Sequence, residues 1–353
     1  MPSTDGPLAT TPAGGSIAPG ELTRLPVPAP ANGHTDSTIE AVRLALDAIE
    51  IGQPGGIVLP VSALRDQVAQ IHQRRRACRF AEVATDLPAL IRNLHTTLGT
   101  GTDHGELLDL AVYLHVHVTR LWLFRVGAPD DLIRRTVFLV RRLAQERDDA
   151  TTLALAGFSV ADTLLAGGAI DLGRAELDSL TLPPTSADTA GLVCLVTSTR
   201  AQAAVLAGRP SEAAEPMNAA TELAARFEDN GETDSLGFFH ASADLKLHRV
   251  WQALEAGEPD RVISIAQDIH SEHHPSPSGQ AHHWIFLGRA LVQLRGRHDD
   301  AVHALRTAED IFPTKVRRDP LVRDAIATLL PGAGRNAVGM ELRGLAYRAG
   351  LPV

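Results

Sequence analysis

A glycine turn that returns at a spacing of about 40 residues, the period of stacked helix pairs, constrains this chain more than any other feature. The turn glycines Gly127, Gly168, Gly208, Gly257 and Gly296 follow one another at 41, 40, 49 and 39 residues. Four of them share one form, a small-residue turn, then polar or Pro residues, then a new apolar period. They are Val126-Gly-Ala-Pro-Asp-Asp131, Ala207-Gly-Arg-Pro-Ser-Glu212, Ala256-Gly-Glu-Pro-Asp260 and Arg295-Gly-Arg-His-Asp-Asp300, with Ala166-Gly-Gly-Ala-Ile-Asp171 as a weaker fifth. Glycine enters the left-handed region that ends a helix, and Pro or Asp suits the first positions of the next.

The segments between these turns read as amphipathic helices. Leu132, Thr136, Val137, Val140 and Leu143 recur at helical spacing, as do Ala213, Met217, Ala220, Ala224 and Phe227, and again Ala301, Leu305, Ala308 and Phe312. A further unit spans Leu64 to Leu94 with Cys78-Arg-Phe80 as its turn. Aromatics are only 4% of a chain that is 44% hydrophobic, so Ala, Leu and Val must fill the core. That mixture suits closely spaced helices rather than a β-sandwich. Ile57-Val-Leu59 is the only strand-like piece. The expected fold is all-α, a right-handed superhelical solenoid of TPR-like antiparallel helix pairs. Residues 37–353 hold about six pairs plus C-terminal capping helices.

Ahead of that domain, residues 1–36 are rich in Pro, Gly, Ala and Thr and are expected to form a disordered tail. A short helix, Thr38 to Ile51, follows and stops at Gly52 and Pro54. The net charge of -9 argues against a surface that clings everywhere to nucleic acid. Cys78 and Cys194 give no disulfide framework or metal-ligand spacing, which points to a cytoplasmic protein. No signal peptide and no uninterrupted apolar stretch of membrane-spanning length is read, so no membrane partner is expected.

The last unit resembles a tetratricopeptide (TPR) repeat. Trp284, Leu287, Gly288 and Leu291 fit its first helix, Ala301, Leu305, Ala308 and Pro313 its second, with one extra residue near Arg295. Two end segments add to this: Leu64-Arg-Asp-Gln-Val68, Arg79-Phe-Ala-Glu-Val83 and Leu87-Pro-Ala-Leu-Ile-Arg-Asn-Leu-His95 near the start, and Val316-Arg-Arg-Asp-Pro-Leu-Val322 with Glu341-Leu-Arg-Gly-Leu-Ala-Tyr-Arg-Ala-Gly-Leu351 near the end. Together they resemble the C-terminal TPR-like region of actinomycete XRE-type helix-turn-helix transcriptional regulators, over roughly residues 38 to 353. Such regulators carry a DNA-binding domain before the repeats, and residues 1–36 cannot supply one. The resemblance therefore implies a sensor or interaction module that meets DNA only indirectly or weakly.

Candidate chemistry is sparse. His270, His273, His274, His282 and His283 invite a metal, but Pro275, Pro277 and Gly279 interrupt them and no zinc-protease spacing is present. His115 and His117 sit two apart in an apolar run and so face different sides of a helix. Gly99-Thr-Gly-Thr-Asp-His-Gly105 lacks the strand and the Lys-Ser/Thr of a phosphate loop. No catalytic, cofactor-binding or metal-ligating residue is assigned, and the chain is not expected to be an enzyme. If first helices line a concave groove, His117, Gln202, Leu247, Trp251, Ile285 and Arg289 are its candidates. The expected occupant is a protein, peptide or small-molecule ligand, and a homodimer is allowed. Two other readings stand beside this one. In the first, the basic segment with Lys315, Arg317, Arg318, Arg323, Arg335, Arg343 and Arg348 touches DNA. In the second, the chain is an enzyme of unrecognised type.

Overall fold

A computed structural model describes residues 33–228 and 241–353. The expected disordered tail lies outside the described residues except for 33–36, which belong to the first helix. In chain order the helices are α1 (Gly33–Glu50), α2 (Val61–Arg76), α3 (Phe80–Leu98), α4 (His104–Val126), α5 (Asp130–Arg147), α6 (Ala150–Ala166), α7 (Ile170–Ser179) and α8 (Ala187–Leu206). They continue with α9 (Ala214–Glu228), α10 (Ala241–Glu255), α11 (Pro259–Gln267), α12 (Pro277–Val292), α13 (His298–Ile311), α14 (Pro313–Arg318), α15 (Pro320–Leu329) and α16 (Ala337–Arg348). The fold is all-α, with no strand among the described residues.

The repeated turns are the joints of this array. Gly127, Gly168, Gly208, Gly257 and Gly296 all take positive φ, between 72° and 77°. Cys78, between α2 and α3, adopts the same region at φ 57°, where a side chain is rarely placed. Each turn joins two helices that pack on one another: α2 with α3, α4 with α5, α6 with α7, α8 with α9, α10 with α11, and α12 with α13. The first helix of each pair also packs on the first helix of the next, giving a row that runs α2, α4, α6, α8, α10, α12 and then α15. Close approach within a pair rests on small residues. At Gly288 an added Cβ would stand 2.8 Å from Leu305 Cδ2, so α12 and α13 can approach this closely only with glycine there.

The expected apolar faces are the buried ones. Leu132, Thr136, Val137, Val140 and Leu143 on α5 are at most 5% exposed. Trp122 (1%) anchors α4 under the start of α3 and donates its indole N–H to the Phe80 carbonyl at 3.1 Å. That bond satisfies the ring's one polar atom, so its apolar burial is fully favourable. Ile57-Val-Leu59 is extended but pairs with no strand. It lies along α3, where backbone N–H groups of Gly56, Ile57 and Leu59 donate to Thr96 Oγ1 (2.9 Å), Asn93 Oδ1 (3.0 Å) and Thr97 Oγ1 (3.1 Å).

Two features go beyond the sequence reading. First, α4, 23 residues long, and α8, of 20 residues, are each long and apolar enough to cross a bilayer by length and composition. The turn signals bound these helices but do not shorten them, and most of each is buried against other helices. Second, the row closes on itself. The segment Leu121–Val126 of α4 packs against α14, Arg318 donates to the Val126 carbonyl, and Phe312 stacks on Phe80 with ring centroids 4.9 Å apart. Residues nearly two hundred positions apart thus form a seam between the first pairs and the last.

Candidate functional site

The site begins at an irregularity in α4. Residues His115–Arg120 form a π-helical turn, all six of them buried. Thr119 Oγ1 donates to the Leu114 carbonyl at 3.4 Å inside it. Such turns insert a residue into a helix and re-aim its side chains, often at functional sites. Here His115 reaches α3 and His117 reaches α2. His115 Nε2 and His95 Nε2 are 2.9 Å apart. The buried His115 Nδ1 has no hydrogen-bond partner among the described residues. A bare ring nitrogen there costs less than an orphan N–H, so His115 donates through Nε2 and His95 accepts.

His117 is 1% exposed, stacked on His72 (centroids 5.5 Å) and tilted against Tyr113 (4.5 Å). His72 Nε2 lies 3.1 Å from Arg75 Nη2, and His72 Nδ1 bonds the Tyr113 hydroxyl. A guanidinium can only donate, so His72 Nε2 must accept and Nδ1 must carry the proton. Across the seam the same device recurs. Arg125 Nη1 lies 2.8 Å from His282 Nε2, while His282 Nδ1 is 2.6 Å from the Ser278 carbonyl. The carbonyl can only accept, so His282 also has its proton on Nδ1 and receives the arginine on Nε2. Burial first, and then the neighbouring Arg75, lower the His72 imidazole to about 3; burial and Arg125 push His282 well below its ordinary value. Both rings are neutral. They orient two arginines without neutralising either.

Polar side chains at helical spacing continue this lining along the inner row. On α10 they are Asp244, His248, Gln252 and Glu255, and on α12 His282 and Arg289. Arg120 of α4 pairs with Asp162 of α6, Arg289 with Glu255 at 3.0 Å, and Lys315 with Asp319. Arg75 and Arg125 have no carboxylate within ion-pairing distance among the described residues. Both are half-buried by surface area yet surrounded by protein, as residues on a cleft wall are. Burial and then the repulsion of Arg125 lower the Arg75 guanidinium to about 9, and burial likewise lowers Arg125. Burial and Arg125 also lower the Lys315 ammonium, while Lys315 overcomes burial to hold Asp319 at about 2. The region carries an excess of positive charge. Arg75 Nε, Arg120 Nε and Gln252 Nε2, all donors, are buried with no acceptor among the described residues.

The sequence-derived groove candidates divide around this stripe. His117 and Arg289 belong to it. Gln202 is half-buried on α8, and Trp251 is half-buried on α10. Leu247 (5% exposed) and Ile285 (2%) are buried, Ile285 within the apolar core against α13 and α15. Leu247, Trp251 and Ile285 each lie one position before or three after the polar stripe on their helix, which turns them to its apolar flank. Sequence reasoning missed Arg75, Arg125 and His282. Their signal was polar residues at helical spacing between two apolar edges of one helix.

The basic C-terminal residues serve the fold. Glu309, 1% exposed, binds Arg317 at 2.8 Å, Arg348 at 2.6 Å and Arg306 at 3.0 Å. Arg323 donates to the Ala349 carbonyl (3.0 Å), and Arg343 to the Gly334 carbonyl (3.1 Å). The histidines of the interrupted cluster also diverge. His274 lies 3.2 Å from Asp244, His282 holds Arg125, and no group of three metal-ligating side chains forms among the described residues. Two clefts, of ≈ 340 and ≈ 300 Å³, lie away from the stripe. Of the arginines at their edges, Arg297 pairs with Asp300, and Arg200 donates through Nη2 to the Leu177 and Leu180 carbonyls while its buried Nε has no acceptor among the described residues. Comparison with protein-family models, with curated proteins and with solved structures finds no match.

Proposed function

We propose that this chain is a regulatory sensor or interaction protein that binds a ligand along the inner row of a TPR-like, right-handed solenoid. The observation that carries the reading is the polar stripe itself, with buried donors on α2, α4 and α10 that find no acceptor among the described residues. Buried donors of this kind are rare in a finished interior and are expected where a ligand completes the bonding. Binding fits the chemistry better than catalysis. His72 and His282 are held neutral and accept from arginine, which leaves those two rings no base role. The resemblance to the sensor region of XRE-type regulators favours control of transcription, exerted from the cytoplasm through a partner. Contact with DNA through the basic C-terminal residues is disfavoured by their internal pairing.

The test is native mass spectrometry of the full chain purified from its own host, compared with a Gln252→Leu variant. Gln252 has a buried amide nitrogen without an acceptor among the described residues, so leucine leaves the fold intact. A bound species released from the parent and missing from the variant supports the reading. Equal retention by both proteins, or none by either, would count against it.

A further inference from the structure

We propose that the seam between α2–α4 and α12–α14 is a binding site for a small oxyanion bearing two negative charges, held between Arg75 and Arg125. This inference rests on the inner row being a ligand site and names the chemistry at one end of it.

The argument is one of charge and geometry. Arg75 and Arg125 come from two helices of the first half, and both stand beside Cys78 at the turn that joins α2 to α3. Of the other cations near them, Arg120 has Asp162, Arg289 has Glu255 and Lys315 has Asp319, while Arg76 adds a further positive charge beside Arg75. Two half-buried guanidiniums enclosed by protein with no directly paired carboxylate are costly, and proteins keep such an arrangement where an anion completes it. The two holders are suited to that role. A carboxylate in place of His72 or His282 would cancel the charge, whereas a neutral imidazole fixes the direction of the N–H donors and leaves the charge for a ligand.

Other donors converge on the same place. Arg75 Nε has no acceptor among the described residues, and burial keeps the Cys78 thiol protonated, pushed up to about 11, so it too can donate. Arg125 lies over the Phe124 and Phe312 rings at 5.8 Å, and Lys315 lies 5.6 Å from the Phe124 centroid. Phe124, 45% exposed, gives the organic part of a ligand an apolar surface beside its charged end. Two charges on the protein ask for two on the ligand, which selects a phosphate monoester or a short dicarboxylate over a monocarboxylate. Because Arg75 and Arg125 belong to the first half while His282, Phe312 and Lys315 belong to the second, the anion also ties the seam shut.

Isothermal titration of the full chain at pH 7.5, at matched ionic strength, with inorganic phosphate, succinate and acetate tests this. Saturable binding of phosphate or succinate is expected at a 1:1 ratio, with acetate at least ~10-fold weaker, the scale of a lost charge-assisted bond. Phosphate alone would assign a phosphoryl ligand, and succinate alone a dicarboxylate. Arg75→Gln and Arg125→Gln should each weaken binding by ~10-fold or more, Arg125→Lys by less, and the exposed Arg261→Gln not at all. In anion-free buffer the two glutamine variants should melt no lower than the parent, since each removes a repelling charge. No saturable binding of either dianion, binding that survives both substitutions, or glutamine variants that melt well below the parent would overturn the proposal. If both dianions fail while a host ligand is still lost in Gln252→Leu, the inner row stands as a ligand site and only the oxyanion assignment falls.

Discussion

Acidification to pH 5 should strongly destabilise this chain through its buried histidines. Burial, then Arg75, lowers His72 to about 3, and burial, then Arg142, lowers His95 to about 4. An unperturbed imidazole titrates at about 6.5. Above pH 6.5 these rings are neutral in the folded and unfolded chain alike, so their contribution to stability is complete. Below it the unfolded chain takes up protons that the folded chain refuses, so stability falls as the pH falls. At pH 5 the difference is about 2 kcal/mol for each ring, hence about 4 kcal/mol for the two. Burial holds His115 and His117 well below the ordinary imidazole range, and they act in the same direction. Against a typical total of about 5–15 kcal/mol, that loss removes much of the stability. The assay is a urea melt repeated between pH 7.5 and 5. The expected result is a midpoint that falls steeply below pH 6.5, and a His95→Gln variant should lower the slope by about 1.4 kcal/mol per pH unit, one proton's worth. A midpoint constant over that range would refute the placement of these histidines.

Glu309→Gln should destabilise the C-terminal helices by about 3–5 kcal/mol, because it leaves Arg317 and Arg348 around a buried site without their carboxylate, while Arg306 keeps Asp310 and Glu341; a urea melt measures it. Gly208→Ala and Gly257→Ala should each cost ~1 kcal/mol, and Gly208→Asn less, since nothing lies within 4 Å of an added Cβ and only the left-handed backbone resists. Thermal melts of the three variants check the order. Gly56→Ala should cost more than either, because its Cβ would stand 2.5 Å from the Arg92 carbonyl carbon, and faster amide exchange over Gly56–Leu59 would report the detached strap.

The helix pairs were legible because their signals are local. A turn glycine and a proline or aspartate after it act within one helix end, and the left-handed φ of Gly127 and Gly296 follows from that alone. Cys78 was legible as a turn by its spacing, although its positive φ is unusual for a side chain. The seam was not legible. Its closure depends on a small rotation added at every repeat, so no local pattern places Phe312 on Phe80. Nor was the inner stripe: amphipathic reading separates one apolar face from one polar face, whereas α10 is apolar on both flanks of Asp244, His248 and Gln252. That choice of period drew Leu247 and Ile285 into the groove candidates, and both are buried. The π-turn was equally hidden, because an extra residue inside a helix leaves no mark on the periodicity of an all-apolar run.

The most direct test of ligand binding along the inner row is hydrogen–deuterium exchange of the full chain, with and without a small-molecule and peptide extract of its host. Slower exchange in α2, α4, α10 and α12, with α5, α7 and α9 unchanged, is the predicted result. Slowing confined to the outer helices or to α14–α16, or no change anywhere, would contradict it.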